Sequence, residues 1–181
     1  MATFVGRMIG AAKLDVAVIE EIEADSNATV SALGVVVLAA IAAGIAGISG
    51  GAKGVAVLLV FSLFGWVFWA FMTWLIGTKF LAGPETKSDM GELLRTMGFA
   101  QSPGLLRVFN GLPVIGFLVD MVVMVWLLVA MVVAVRQALD YKSTLRAVVV
   151  VGIGWVVNTA IWLFSLSLVG LAGMFASSAG G

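Results

Sequence analysis

A single acid, Asp120, lies inside the four long apolar runs of this 181-residue chain. An ionisable side chain at membrane depth is a functional hypothesis by default, because burying it uncompensated is costly. Arg107, Asn110 and Asn158 are its polar companions, and Asn110-Gly111-Leu112-Pro113 breaks the run that contains it. Together they form a candidate membrane polar site with two readings. In the first, Asp120 sits near a hairpin turn, reaches interfacial water or pairs with Arg107, and serves structure. In the second, the group is the centre of a small transporter or channel-like component. No internal sequence repeat supports the second reading.

Other chemistry is thinly supplied. Histidine and cysteine are both absent, which removes disulfides, thiolate nucleophiles, iron–sulfur clusters, His-ligated haem and the usual zinc and copper sites. A serine-type intramembrane protease needs a base, normally histidine, and an aspartyl type needs two facing carboxylates. Neither set is present in the apolar runs. The expectation is a non-catalytic protein with no metal and no cofactor.

The elements that must position these residues are membrane spans. Of the chain, 62% is apolar and only 11% charged, with a mean hydropathy of +1.16. A soluble domain carries roughly a quarter charged residues. Ten basic and ten acidic residues give a net charge of zero, so no basic field points to nucleic acid. The pattern predicts an all-α, polytopic membrane domain over residues 1–181. Its parts are an N-terminal amphipathic interfacial helix within 1–27 and spans near 29–48, 55–77, 104–112, 114–135 and 147–171. The third segment is too short to cross and forms a hairpin with the fourth. A polar loop fills 78–102. The first 25 residues end in Glu20, Glu21, Glu23 and Asp25 and do not read as a signal peptide.

Charge placement favours this division. With the N-terminus inside, Arg7, Lys13, Lys79, Lys87, Arg95, Arg136, Lys142 and Arg146 fall on the inner side, and Lys53 alone on the outer. Were 104–135 a single crossing, the last three basic residues would move outside and nearly erase that bias, so the positive-inside rule predicts N-terminus in and C-terminus out.

Two packing patterns stand out. Ala39, Ala43, Gly47 and Gly51 form a small-residue ladder, suited to close helix approach within the chain or between copies in a homo-oligomer. In the second span Phe61, Phe64, Phe68 and Phe71 follow a three-four spacing, with Trp66 and Trp69 near mid-depth. Tryptophan normally sits at the interface. That face is therefore a candidate contact for another membrane protein, a lipid or an isoprenoid-like ligand, with bundle packing as the alternative.

From Gly91 to Pro103 runs Gly-Glu-Leu-Leu-Arg-Thr-Met-Gly-Phe-Ala-Gln-Ser-Pro, and Thr144-Leu145-Arg146-Ala147 opens the last span. With the element order, this string resembles a bacterial member of the Yip family, the five-span domain first named for Rab-interacting membrane proteins. The resemblance covers about Phe4 to Leu171. It implies a non-enzymatic membrane factor of the bacterial cytoplasmic membrane, working with lipids and other integral membrane proteins, such as an accessory or scaffold subunit. The Asp-Leu-Tyr-type motif of eukaryotic relatives is missing, and Rab binding is not carried over. Read by residue type, Glu92 and Arg95 can pair across one turn, Gly98 can end the helix that holds Phe99, and Pro103 can start the next. The string is then a structural corner or a docking site.

Overall fold

Residues 2–47, 51–112 and 115–179 are described by the computed structural model, and among them every regular element is helical. The N-terminal segment is two helices, not the single one expected. α1 (Phe4–Ala12) starts where the Thr3 hydroxyl accepts the Gly6 amide, and α2 (Val16–Ala24) starts where the Asp15 carboxylate accepts the Ala17 amide. Between them Leu14 takes a left-handed φ of 63°. Gly10 lets the arms close: a Cβ there would stand 2.7 Å from Val18 Cγ1.

This hairpin is inverted relative to a soluble one. Arg7 faces inward, its Nη1 2.8 Å from Asp25 Oδ2 and its Nη2 2.9 Å from Glu21 Oε1. Val5 and Ile9 face outward and are exposed. α1 lies against the bundle wall, where the Trp126 indole donates to the Ala12 carbonyl at 2.7 Å and the Phe4 ring meets Phe99 edge-on. An apolar outer face beside the membrane spans suits the bilayer interface.

α3 (Ala28–Gly47) follows a turn in which Asp25 accepts the Asn27 amide through its side chain and the Ala28 amide through its carbonyl. α4 (Gly51–Leu75) already includes Gly51 to Lys53, which lie between the expected spans 29–48 and 55–77. Ile48, Ser49 and Gly50 lie outside the described residues, so the small-residue ladder is not traced as one stripe. α4 ends in a π turn, Ile76–Phe80, where the Thr78 hydroxyl donates to the Trp74 carbonyl. α5 (Met90–Phe99) leads into a 3₁₀ segment, Ser102–Gly111, and then α6 (Ile115–Ala138) and α7 (Thr144–Ala179). Pro113 and Val114 lie outside the described residues. α7 is longer than the expected 147–171 span.

Among the described residues four helices are long and apolar enough to cross a membrane, within Ala28–Ile45, Gly54–Phe80, Ile115–Ala138 and Thr144–Ile161. Their outer faces stay uncovered. Only 11% of the Gly54–Phe80 window is buried, and Phe64, Phe117 and Val125 are 62%, 72% and 59% exposed. In water each such side chain would forgo up to roughly 1.5–3 kcal/mol of burial; in hydrocarbon it forgoes nothing. The chain is an all-α multi-pass membrane protein. The 3₁₀ segment, at about 2 Å per residue, covers about 20 Å and is too short to cross a hydrocarbon core of about 30 Å.

The packing order is a ring. α3 touches α4, α4 touches α7, α7 touches α6, α6 touches the 3₁₀ segment, and that segment closes back on α3. α5 plugs one end, packing on α3, α4 and α6 through the buried side chains of Leu93, Met97 and Phe99. Beside it the Tyr141 hydroxyl lies 2.9 Å from the carbonyl oxygens of both Gly77 and Leu81, tying the α6–α7 link to the end of α4.

Candidate intramembrane cavity

Inside the ring is a cavity of about 330 Å³. Its floor, next to α5, is made by Val36, Trp66, Trp69, Met131 and Gln101. Its far end is made by Ala43, Leu58, Met124 and Arg107, while Asn158, one turn beyond the Gly154 that packs on Trp69, lies in the half nearer α5. Ser62 and Gly65 line the wall between. Small side chains create this space: Ala39, Ala40 and Ala43 of α3 face Gly65 of α4 and Gly104 of the 3₁₀ segment across it. A Cβ on Gly104 would come 3.3 Å from Ala39, whereas one on Gly65 would meet nothing within 4 Å. The first glycine is needed for close packing. The second opens onto free volume.

Among the described residues lining this cavity, Arg107 alone carries a charge. Its Nε stands 3.3 Å from Asp120 Oδ1, and the same oxygen accepts from Asn110 Nδ2 at 3.0 Å. The sequence-derived polar site therefore does assemble in part: Arg107, Asn110 and Asp120 meet where the 3₁₀ segment turns into α6. Asp120 is half-exposed and outside the cavity lining, while Asn158 arrives separately from α7. Gly116 makes this junction tight. A Cβ there would collide with the Asn110 carbonyl.

The aromatic set of α4 divides between two faces. Trp66 is buried and donates through Nε1 to the Leu94 carbonyl at 3.2 Å. Trp69 presses its Nε1 edge onto α7 at Gly154, where a Cβ would stand 2.6 Å away. Phe64 and Phe71 are exposed on the other side, Phe68 is half-buried with its ring stacked on Phe64, and Phe61, though partly exposed, lines the cavity. Helical spacing explains the split, since positions 66, 70, 73 and 77 share one face. The tryptophans at mid-depth belong to the bundle interior, Phe64 and Phe71 to its outer surface, and Phe61 to the cavity wall.

The Glu92 to Pro103 string builds the plug and the corner after it. Asp89 and Glu92 form a reciprocal capping box at the start of α5. Glu92 is thus engaged, and the expected pair with Arg95 does not form. Arg95 is buried and donates from Nη2 at 2.6 Å and Nε at 3.1 Å to the Glu23 carbonyl. Gly98 does not end the helix either. It sits inside α5 because a Cβ would stand 2.7 Å from Ala32 Cβ and 3.2 Å from the Ala32 carbonyl oxygen. Pro103 does stand in the first turn of the 3₁₀ segment, as its missing amide allows.

An acidic cleft borders this plug. Glu20, Glu23, Glu92 and Asp140 line it. Burial, then repulsion from Glu92, Asp140 and Glu20, pushes the Glu23 carboxyl up to about 7. On the other side of α2, Arg7 holds the Glu21 and Asp25 carboxyls below their ordinary range by hydrogen bonding. Among the described residues no group of acids could hold a metal ion. Residue type alone did not single out Gln101, Ser62 or Gly65. The alternation of small and aromatic residues along α4 was the available signal.

No protein-family model matches this chain, and no curated protein or solved structure does.

Proposed function

We propose that this is a non-catalytic membrane protein that works by accommodating a lipid-like amphiphile from the surrounding bilayer within its helix ring. The carrying observation is the cavity itself: apolar walls, space of about 330 Å³ and one guanidinium at the end away from α5. That volume falls within the range of small-ligand sites. We place the α5 end in the cytoplasm of a bacterial cell, because eight basic residues gather there against Lys53 and Arg107 beyond it. The Yip-type string supports the same reading, since Glu92 to Pro103 supplies caps, a close-contact glycine and a corner, with no reactive group. The exposed phenylalanines of α4 offer a further surface to lipid or to a partner span, as an accessory subunit would use.

Gly65→Leu tests the reading. It fills free volume without a backbone clash. Added lipid raises the Tm of a protein that binds it. The wild-type protein in mild detergent gains Tm on lipid addition, and the Gly65→Leu variant gains much less. Equal gains in both would remove the cavity from the account. A second reading, a small carrier, draws on Arg107 lining the cavity with Asp120 behind it. It requires an ion flux in proteoliposomes that Asp120→Asn abolishes.

A further inference from the structure

The cavity has a polarity that matches one class of amphiphile. Its charged end is Arg107, three residues beyond Gly104, which packs on Ala39. Asn158 lies nearer the α5 end, one turn beyond the Gly154 that packs on Trp69. Toward α5 the lining becomes Val36, Trp66 and Met131, with the neutral amides of Gln101 and Asn158 as the polar exceptions. Asp120 sits 3.3 Å from Nε as a charge contact without a hydrogen bond, and does not itself line the space. An arginine presents five donors in a planar fork.

We propose that the cavity selects an amphiphile with an acidic headgroup, a phosphate or carboxylate held by Arg107, with its chain directed toward Trp66; the occupant is an anionic membrane lipid. This rests on the functional reading above and adds the headgroup class to it. Pairing the guanidinium's donors with an acidic group is the source of selectivity. A zwitterionic headgroup brings its own cation to the same place and loses that advantage. In the empty state Asp120 competes for the guanidinium, so weakening Asp120 strengthens the ligand's hold.

Lipids brominated on their chains quench tryptophan fluorescence on contact. Trp66, Trp69 and Trp155 all line the cavity, and Trp155 is also partly exposed on the bundle surface. The full-length protein is reconstituted in phosphatidylcholine vesicles carrying a minor fraction of brominated phosphatidylglycerol or brominated phosphatidylcholine. The cavity signal is the quenching lost on Gly65→Leu. For the wild type, that signal favours phosphatidylglycerol by about tenfold or more, the worth of one charge-assisted hydrogen bond. Arg107→Gln removes the preference, and Asp120→Asn increases it. Should Arg107→Gln fail to fold, Arg107→Lys and Asp120→Asn carry the test, with reduced and enhanced preference respectively. Equal cavity quenching by the two lipids overturns the headgroup proposal and leaves the lipid-holding reading in place. No difference between wild type and Gly65→Leu overturns both. Inorganic phosphate that suppresses the phosphatidylglycerol signal at concentrations too low to screen charge shows a site for free anions, and overturns the lipid assignment.

Discussion

The Arg95 guanidinium grips the backbone carbonyl of Glu23 across 72 residues of sequence, with Nη2 at 2.6 Å. It is the clasp that fastens the N-terminal hairpin to the plug of the bundle. The partner is a carbonyl, so the bond survives titration of every nearby carboxylate. Arg95→Met leaves that carbonyl unpaired and lowers stability by about 2–3 kcal/mol, in the range for a hydrogen bond to a charged group. Arg95→Lys rescues only part, because an ammonium cannot reproduce the two-nitrogen grip. Thermal unfolding in detergent checks both.

Three glycines should rank by what a Cβ would meet. At Gly116 it would meet the Asn110 backbone, at Gly98 the Ala32 side chain and carbonyl, and at Gly152 nothing within 4 Å. Gly116→Ala is therefore the most damaging, since backbone cannot step aside. Gly98→Val costs about 1–3 kcal/mol as an overpacked core substitution. Gly152→Ala is neutral or slightly stabilising through helix propensity. Relative Tm and monodispersity of the three variants decide the order.

Stability should fall as pH rises toward neutrality. The Glu23 carboxyl is raised from 4.5 to about 7. The folded state thus binds this proton more tightly than the unfolded chain, and the advantage is full below the ordinary carboxylate pKa. It fades as pH climbs through the raised value. The groups around it are Glu20, Glu92 and Asp140, with Arg95 opposing them. Glu23→Gln should flatten the Tm difference between about pH 5 and about pH 8, two points that bracket the transition. An undiminished slope in the variant would assign the effect elsewhere.

Arg7 produces the opposite sign at lower pH. It depresses the Glu21 and Asp25 carboxyls, so their stabilising contribution is present above the ordinary carboxylate range and is lost as pH falls through the depressed values. Arg7→Met should release α1 from α2 while leaving the four spans folded. Hydrogen exchange confined to residues 4–24 would report this, and exchange spreading into α6 would show that the hairpin is integral to the bundle.

The spans were legible because charge-free runs of about twenty residues admit few structures. The short third segment was legible because Asn110-Gly111 and the charge balance both opposed a single continuous crossing over 104–135. Boundaries that depend on tertiary fit were not. Nothing in the N-terminal pattern separates one bent amphipathic helix from two, since the break rests on Leu14 adopting positive φ and on Gly10 receiving Val18. Likewise Glu92 and Arg95 have the spacing of a helical ion pair. Asp89 captures the first and Glu23 the second, and the latter contact is invisible until α2 is docked. The polar group was found by residue type, but the cavity was not, because empty space is made by Gly65, Ala40 and Ala43 and leaves no chemical signature.

Native mass spectrometry of protein released gently from its own membrane tests the central claim most directly. The account predicts that the wild type carries a retained lipid-sized adduct at collision energies that strip loosely bound detergent, and that Gly65→Leu emerges without it. A wild type that emerges bare, or a Gly65→Leu variant that keeps the same adduct, would contradict it.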